Sequence, residues 1–353
     1  MKLTDVDKNF AVPIANENGI VYFDPNLPPF DFSGLPNKEK NGNCRRLPTA
    51  LAEDPKLFWG VKNMQVCSTG GMIRFKTDSD TLAVKSTLSG IYPYPHFSMI
   101  GLAGMDVYVG KGKNKRYAGN VIPSENEKEN VVTLNLKPGL KEITLNLPTY
   151  AEVVSISVGV KEGSRLLAPT PFKNEKPICF YGSSITQGGC CSHPGTAYPT
   201  IVCRELDAPM VNLGFSGSCQ GELIMADYIN TLDLTAFVYD YDHNCPTVDF
   251  LKETHLACYE RVREKNPSLP IVILSKPDYR GDDSEDFARR EIIMNTYRIA
   301  KERGDKVAFV DGKHIFDGRF KDGCTTDGCH PNDLGFSRMA IKVLKALSEL
   351  GVK

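Results

Sequence analysis

The sequence predicts a chain of two parts, an antiparallel β-sandwich followed by an α/β region built on a parallel sheet. In the second half of the 353 residues, short apolar runs alternate with helical stretches, which is typical of parallel strands covered by helices on both faces. In the first half, apolar and polar residues alternate with a period of two over short segments, which indicates antiparallel strands. We therefore expect a sandwich over residues 1–168 and an α/β region over residues 169–353.

The overall composition excludes several classes of protein. Hydrophobic residues make up 41% of the chain and charged residues 24%, which is ordinary for a globular protein. The net charge of -1 gives no electrostatic reason to expect nucleic acid or a membrane surface as a partner. No apolar run is long enough to span a bilayer, and the first residues lack the hydrophobic centre of a signal peptide. We expect a cytoplasmic protein.

The elements of the first half follow from its local patterns. Up to Gly60 the chain is rich in Pro, Asn and Gly with little periodicity, so we expect an irregular strap over other structure. Residues 72–76 and 82–86 alternate on either side of Asp78-Ser79-Asp80, which is the signal of a hairpin. The prolines of residues 166–171 indicate a linker, because they stiffen the chain and block strand pairing. Further strands are expected at 105–109, 131–136, 143–147 and 153–160.

The second half alternates strands with helices in chain order. The strands are predicted at 178–181, 210–213, 236–239, 271–274 and 307–310. They are short and almost wholly apolar, as expected of strands that are buried on both faces. Asn332 or Asp333 is expected to cap the last helix. The helices are predicted at 198–206, 249–266, 287–303 and 334–350.

Polar or glycine-rich loops follow three of these strands, and a fourth precedes the last helix. They span residues 178–189 (with the strand itself), 212–217, 240–246 and 327–333. The carboxyl ends of parallel strands lie at one edge of a sheet, where open α/β sheets bind their ligands. We therefore expect the four loops to lie close together.

The side chains of these loops suit acyl transfer to a serine. Ser184 supplies a hydroxyl, which becomes an effective nucleophile only when a base takes its proton. His330 can act as that base, and Asp327, three residues earlier, can accept its other ring N–H and fix the tautomer. The backbone N–H groups of Ser184 and Gly217 and the side-chain amide of Asn244 provide three donors for an oxyanion.

Other familiar signatures do not fit these loops. The α/β-hydrolase elbow G-x-S-x-G has Thr186 in place of its last glycine, and a phosphate-binding loop would need a lysine after Gly188. The 11 cysteines are expected to be mostly buried and reduced. A metal site would have to combine Cys324, Cys329 and His330 with Cys190 and Cys191, but no C-x2-C pair occurs. We expect no metal and no cofactor.

The four loops together resemble the four sequence blocks of the SGNH (GDSL-like) hydrolases, which carry serine, glycine, asparagine and histidine in this order. The resemblance covers residues 176–350. It implies a three-layer flavodoxin-like fold and ester hydrolysis through an acyl-serine. The residues that match the family's catalytic positions are Ser184, Gly217, Asn244, Asp327 and His330.

The chain departs from the family pattern in two blocks. Ser183 stands where the first block usually has aspartate, and the third block, usually G-x-N-D, runs from Asp242 to Cys245. In this form the blocks resemble those of a bacterial subgroup whose N-terminal sandwich carries a G-x-D-L-Y-type motif. Gly104-Met105-Asp106-Val107-Tyr108 is similar to that motif. The resemblance extends to carbohydrate esterases with a jelly-roll-like sandwich, which suggests O-acetylated sugars as substrates.

The sequence leaves three functions open. It favours a serine esterase that removes acyl groups, in particular O-acetyl groups, from a carbohydrate or oligosaccharide. A lipase or thioesterase would use the same residues, and an inactive relative could bind carbohydrate through its sandwich. The candidate substrate contacts are His193, Tyr241 and His243, although His193 could belong to a surface loop and Tyr241 to the core. A further candidate for sugar binding is the aromatic group of Tyr92, Tyr94, His96 and Phe97.

Overall fold

The computed structural model describes residues 12–38, 44–124, 129–278 and 284–353 of the chain. Within these residues the N-terminal part is built mainly of strands and contains three short helices: α1 (Thr49–Ala52), α2 (Trp59–Met64) and α3 (Met99–Ala103). The strands are β1 (Pro13–Glu17), β2 (Ile20–Phe23), β3 (Asp31–Ser33), β4 (Met72–Thr77), β5 (Thr81–Leu88), β6 (Met105–Val109), β7 (Arg116–Val121), β8 (Glu129–Asn135), β9 (Lys141–Asn146), β10 (Val153–Lys161) and β11 (Leu166–Leu167).

These strands form two antiparallel sheets. Sheet A has the order β1-β2-β10-β5-β8, and sheet B has the order β11-β4-β9-β6-β7 with β3 also paired to β4. Apolar side chains of both sheets share one buried cluster, in which Phe75 and Ile143 of sheet B join Val84 and Val158 of sheet A. The predicted antiparallel sandwich is confirmed. Its jelly-roll connectivity and the boundary between residues 168 and 169 stay predictions.

The path of the chain through this sandwich corrects three expectations. Strand β4 lies in sheet B and β5 in sheet A, so the turn between them is a crossing and the predicted hairpin is wrong. A period of two identifies strands but does not say which sheet they join. The stretch expected to be irregular contains a real hairpin, β1–β2, whose Asn18 and Gly19 have φ of 53° and 79°, as a type I′ turn requires. The predicted linker begins with β11, which pairs with β4.

Only the later part of the N-terminal stretch, residues 46–61, covers one face of the α/β region, whereas β3 and Leu35 belong to the sandwich. Leu47, Leu57 and Val61 are buried in the core of that region. Arg46 is also buried, and its guanidinium donates to the backbone carbonyls of Asn212 and Gly214. Residues 1–11 and 39–43 of the predicted strap lie outside the described residues, and so does the first part of the segment considered for a signal peptide, whose residues 12–19 belong to the β1–β2 hairpin.

The C-terminal part is built on a parallel sheet, sheet C. Its strands are β12 (Ile178–Gly182), β13 (Met210–Gly214), β14 (Ala236–Asp240), β15 (Ile271–Leu274) and β16 (Val307–Val310). They lie in the order β13-β12-β14-β15-β16 with every pairing parallel. This is the flavodoxin-like order, which changes direction at the first strand of the region and opens a crevice at its carboxyl end.

Helices cover both faces of sheet C and complete the predicted three-layer arrangement. They are α4 (Ser184–Gln187), α5 (Tyr198–Leu206), α6 (Leu223–Ile229), α7 (Val248–Lys265), α8 (Ser284–Glu302) and α9 (Asp333–Glu349). The two faces bury separate apolar clusters, as the continuous apolar strands predict. Asn332 caps α9 by accepting the N–H groups of Leu334 (3.1 Å) and Gly335 (3.3 Å). Among the described helices, none combines the length and apolar character needed to cross a membrane.

Candidate active site

Ser184 lies at the start of α4, immediately after the strand that opens the crevice. The residue before it, Ser183, occupies the N-cap position and its hydroxyl accepts the N–H of Ile185 at 3.2 Å. Ser183, which stands where the first block of the SGNH pattern usually has aspartate, therefore shapes the turn that presents Ser184. The N–H of Ser184 lies in the first turn of the helix, where backbone donors have no partner within the helix. Ser184 is 8% exposed.

His330 and Asp327 complete a hydrogen-bonded chain with this serine. The Ser184 Oγ lies 2.9 Å from His330 Nε2, and His330 Nδ1 lies 2.7 Å from Asp327 Oδ2. The other carboxylate oxygen of Asp327 accepts the backbone N–H groups of Cys329 (3.0 Å) and His330 (2.7 Å). Burial alone would raise the pKa of Asp327, but these hydrogen bonds lower it to about 2. The carboxylate can therefore hold the proton on Nδ1 and leave Nε2 free to accept one from Ser184.

The proposed oxyanion donors follow strands that end at the same level. Gly182 of β12 pairs with Gly214 of β13 and with Asp240 of β14, so the three loops leave sheet C side by side. Gly217 has a φ of 66° and open space where a side chain would project. The side-chain oxygen of Asn244 accepts the N–H groups of Ser218 (3.1 Å) and Cys219 (3.2 Å), which leaves its NH2 group as the donor. Their oxyanion role stays a prediction.

Tyr241, predicted as a substrate contact, is a core residue. Its side chain is fully buried, and its hydroxyl lies 2.8 Å from Thr254 Oγ1. The prediction was wrong because Tyr241 directly follows a buried strand and its ring packs beside those of Tyr239 and His255. The alternative reading, that Tyr241 packs in the core, is confirmed.

The two predicted histidine contacts are held by carboxylates. His193 Nδ1 lies 2.5 Å from Asp106 Oδ2 of β6, so this residue joins the loop after the nucleophile to the sandwich. His243 Nε2 lies 2.7 Å from Asp278 Oδ1. Burial alone would lower the pKa of His243, but its hydrogen bonds to Asp278 and Cys329 hold that pKa well above the ordinary value. Contact with substrate stays a prediction for both histidines.

Aromatic side chains of the N-terminal part form a wall over the site, which we call the aromatic wall: Tyr94, His96, Phe97 and Tyr150. The rings of His96 and Phe97 lie 5.6 Å and 6.0 Å from the ring of His330. The Tyr150 hydroxyl donates to the backbone carbonyl of Ser184 at 3.3 Å. Three of these four residues, Tyr94, His96 and Phe97, belong to the group considered for sugar binding, and that role stays a prediction. Tyr150 was not predicted because it stands outside any recognisable motif.

The G-x-D-L-Y-like motif of β6 holds the loop that follows α4. Besides His193, the buried carboxylate of Asp106 accepts the backbone N–H of Gly195 (2.5 Å) and the amide of Asn146 (2.6 Å). At the other side of this loop, Asp333 accepts the backbone N–H of Ser192 at 2.9 Å. The motif therefore acts as an anchor between the sandwich and the active-site loops.

Two further buried residues that support the site were not predicted. Arg46 of the strap donates to carbonyls at the end of β13, just before the loop that carries Gly217, and burial lowers its pKa to about 10. Gln187, at the end of α4, donates to the carbonyl of Thr149 (3.0 Å) and accepts the N–H of Ser216 (2.8 Å). It connects α4 to the loop that carries Gly217. Gln187 lies within the first of the four predicted loops, but no local pattern there reveals its contacts, and Arg46 stands in no motif.

The cysteines are free, and all but Cys329 are buried. The structure does not bring Cys324 together with Cys329 and His330 as a set of possible ligands. Among the described residues, two other groups have their ligand atoms within 4.8 Å of one another: His96, Cys190 and His330, and His243, Asp278 and Cys329. Both groups combine residues that are distant in sequence.

Two protein-family models match the chain in separate regions. Residues 175–348 match the GDSL-like lipase/acylhydrolase family, and residues 20–166 match the N-terminus of the SGNH-hydrolase type of esterase, the GxDLY model. A search of curated proteins gave no match.

Solved structures with a similar fold cover nearly the whole chain. A protein described as a GDSL-like lipase from Bacteroides ovatus is 27% identical, with a TM-score of 0.81 over 95% of this chain and 99% of its own. The salicylyl-acyltransferase SsfX3 of a tetracycline biosynthetic pathway is 20% identical, with a TM-score of 0.75 over 96% and 99%. A family two carbohydrate esterase from Clostridium thermocellum, in complex with cellohexaose, is 18% identical, with a TM-score of 0.59 over 81% and 94%.

Proposed function

From the premise that the chain belongs to the GDSL-like lipase/acylhydrolase family and is an esterase of that type, we propose that it removes O-acetyl groups from a carbohydrate through an acyl-enzyme on Ser184. The observation that carries the serine mechanism is the hydrogen-bonded chain from Ser184 through His330 to Asp327, with distances of 2.9 Å and 2.7 Å. An intact triad of this geometry also argues against an inactive relative that only binds sugar.

The mechanism follows from the donors and acceptors at the site. Ser184 Oγ attacks the acetyl carbonyl carbon while His330 Nε2 takes the hydroxyl proton. The negative charge on the carbonyl oxygen is stabilised by the N–H groups of Ser184 and Gly217 and the amide of Asn244. The intermediate collapses, His330 gives its proton to the departing sugar oxygen, and the alcohol leaves. Water then attacks the acyl-serine with His330 again as base, which releases acetate and restores the hydroxyl.

The crowding beside the nucleophile favours a short acyl group. A side chain at Gly189 would place its Cβ 3.0 Å from the Phe97 ring and the Tyr150 hydroxyl, and 3.1 Å from the carbonyl of Ser184. The rings of His96 and Phe97 also lie 5.6 Å and 6.0 Å from the ring of His330, and we infer that the aromatic wall leaves little room for a long alkyl chain on that side of Ser184. We take this wall as the limit of the acyl pocket.

The groove beside the loop that carries Asp327 and His330 favours a substrate whose alcohol part is polar. A cavity of about 450 Å³ lies next to Thr325 and Gly328, and charged side chains supply much of its lining: Asp278, Lys313, Asp317, Lys321 and Asp322. A sugar can satisfy such groups with its hydroxyls, whereas a lipid would leave them without hydrogen bonds. The Clostridium thermocellum esterase of similar fold was solved in complex with cellohexaose, which supports a carbohydrate as the substrate.

The proposal is tested with acetylated oligosaccharides and with p-nitrophenyl esters from acetate to octanoate. Acetyl esters should be hydrolysed fastest, and Ser184→Ala should lower kcat/KM on the order of 10³-fold or more. Phe97→Ala should raise the ratio of octanoate to acetate turnover, because it removes part of the aromatic wall. Tyr92→Ala is the matched control, since that ring is 76% exposed. Faster turnover of octanoate than of acetate by the unaltered enzyme would contradict the acetyl assignment.

A further inference from the structure

Three loops of sheet C bring a histidine, an aspartate and a cysteine together beside the triad. His243 follows β14, Asp278 follows β15, and Cys329 lies in the loop that carries Asp327 and His330. His243 Nε2 is 2.7 Å from Asp278 Oδ1, the Cys329 side chain also contacts His243, and the three ligand atoms lie within 4.8 Å of one another. We propose that this group, the 243–278–329 cluster, binds a divalent zinc-type cation.

The chemistry and spacing of the cluster suit zinc. Imidazole, carboxylate and thiolate are the ligands that zinc prefers, with bonds of about 2.0–2.3 Å in a tetrahedron. Such bonds place neighbouring ligand atoms about 3.4–3.6 Å apart. The hydrogen bond between His243 and Asp278 would therefore open by less than ~1 Å as the cation replaces its proton. Thiolate and carboxylate together neutralise the charge of the ion, and a water molecule would complete the tetrahedron.

The accessibility of the cluster allows an ion to enter. The side chains of His243 and Asp278 are each 12% exposed, and Cys329 is the one cysteine among 11 that is not buried. The cavity beside the loop that carries Asp327 and His330 reaches Asp278 and Gly328. An ion can therefore approach from solvent without a rearrangement of the core.

The other group of possible ligands is a poorer site. Its His330 uses Nε2 for Ser184 and Nδ1 for Asp327, so both ring nitrogens are already engaged. Its Cys190 is 8% exposed and contacts the backbone carbonyl of His96. Zinc at that group would have to break the triad, whereas the 243–278–329 cluster leaves the triad intact.

The position of the cluster means that a bound ion would connect two loops of the candidate active site. His243 precedes the predicted oxyanion donor Asn244, and Cys329 lies between the triad members Asp327 and His330. A cation that joins His243 to Cys329 would tie the loop that carries Asn244 to the loop that carries Asp327 and His330. It would hold both loops in place without touching the reacting atoms, and bound zinc should raise the melting temperature of the enzyme.

The test measures metal binding directly, so its outcome does not depend on the esterase proposal. The full chain, freed of metal, is titrated with zinc in competition with a chromogenic chelator, and cobalt is used as a spectroscopic probe of thiolate ligation. We expect one ion per chain and a thiolate–cobalt absorption band. Cys329→Ser and His243→Gln should each weaken binding at least ~10²-fold, while Cys190→Ser, the matched control from the other group, should bind as the unaltered chain does.

A second measurement needs no variant and so is independent of folding defects. Iodoacetamide should alkylate Cys329 ahead of the buried cysteines, as peptide mass spectrometry can show, and zinc should slow this alkylation at least tenfold. Zinc binding no tighter than millimolar, binding that survives Cys329→Ser, or alkylation of Cys329 at the same rate with and without zinc would each overturn the proposal.

Discussion

The substitution Asp327→Asn tests the triad at its least conspicuous member. Asparagine has the same shape, and its carbonyl oxygen can still accept the N–H groups of Cys329 and His330, so the loop should keep its fold. Its NH2 group, however, would face His330 Nδ1 in place of Oδ2. A donor there favours the tautomer with the proton on Nε2, and that nitrogen can no longer accept the proton of Ser184.

The expected loss of catalytic activity is larger than the charge interaction between Asp327 and His330 alone can explain. A pKa lowered from 3.8 to about 2 corresponds to at most about 2.4 kcal/mol, and solvent screening of a part-exposed carboxylate reduces this to ~1 kcal/mol. The wrong tautomer accounts for the rest. We expect kcat/KM to fall about 10³–10⁴-fold, which is about 4–5.5 kcal/mol of transition-state stabilisation.

The assay is steady-state hydrolysis of p-nitrophenyl acetate, with the melting temperature as the control for folding. Asp322→Asn is the matched control, because it removes a carboxylate five positions earlier that lines the neighbouring groove. A variant Asp327→Asn that kept more than a tenth of the activity of the unaltered enzyme would refute the assignment of Asp327 as the residue that orients His330.

Three further predictions concern buried residues outside the triad. His255 is fully buried, and burial lowers its pKa to about 3. Below about pH 6.5 the unfolded chain therefore binds a proton that the folded chain does not, and His255 should reduce the free energy of unfolding by up to ~4 kcal/mol between pH 6.5 and 3. In urea unfolding, the stability of His255→Phe should depend less on pH than that of the unaltered chain. An equal dependence would contradict the burial argument. Arg46→Met leaves buried carbonyls unpaired and should lower the free energy of unfolding by ~2–4 kcal/mol, measured by thermal or urea unfolding. An unchanged melting temperature would count against a role for Arg46 in the strap. Asp106→Asn presents an NH2 group to donors that include the N–H of Gly195, and it should lower the free energy of unfolding by ~2–3 kcal/mol. Proteolysis between residues 188 and 196 should be faster, and an unchanged cleavage rate would show that the motif does not anchor this loop.

Local pattern was sufficient for the strands and long helices of the α/β region, and hence for the predicted site. An apolar strand that ends in Gly182 places Ser184 at the carboxyl edge of the sheet, and a short loop before a capped helix places Asp327 beside His330. Local pattern was insufficient in the sandwich, where the turn between β4 and β5 crosses between sheets. It also failed for Tyr241, since adjacency to a polar loop does not reveal which way a side chain points.

The order and type of the elements, and the chemical groups available at the edge of sheet C, could be predicted from local pattern because hydrophobic period and turn chemistry act over a few residues. Which distant residues meet became visible only in the folded chain. The aromatic wall, the Arg46 strap, the Asp106 anchor and the 243–278–329 cluster each join segments far apart in the chain. Such contacts depend on how sheets and loops pack against each other, and the burial that stabilises them is a property of the folded chain as a whole.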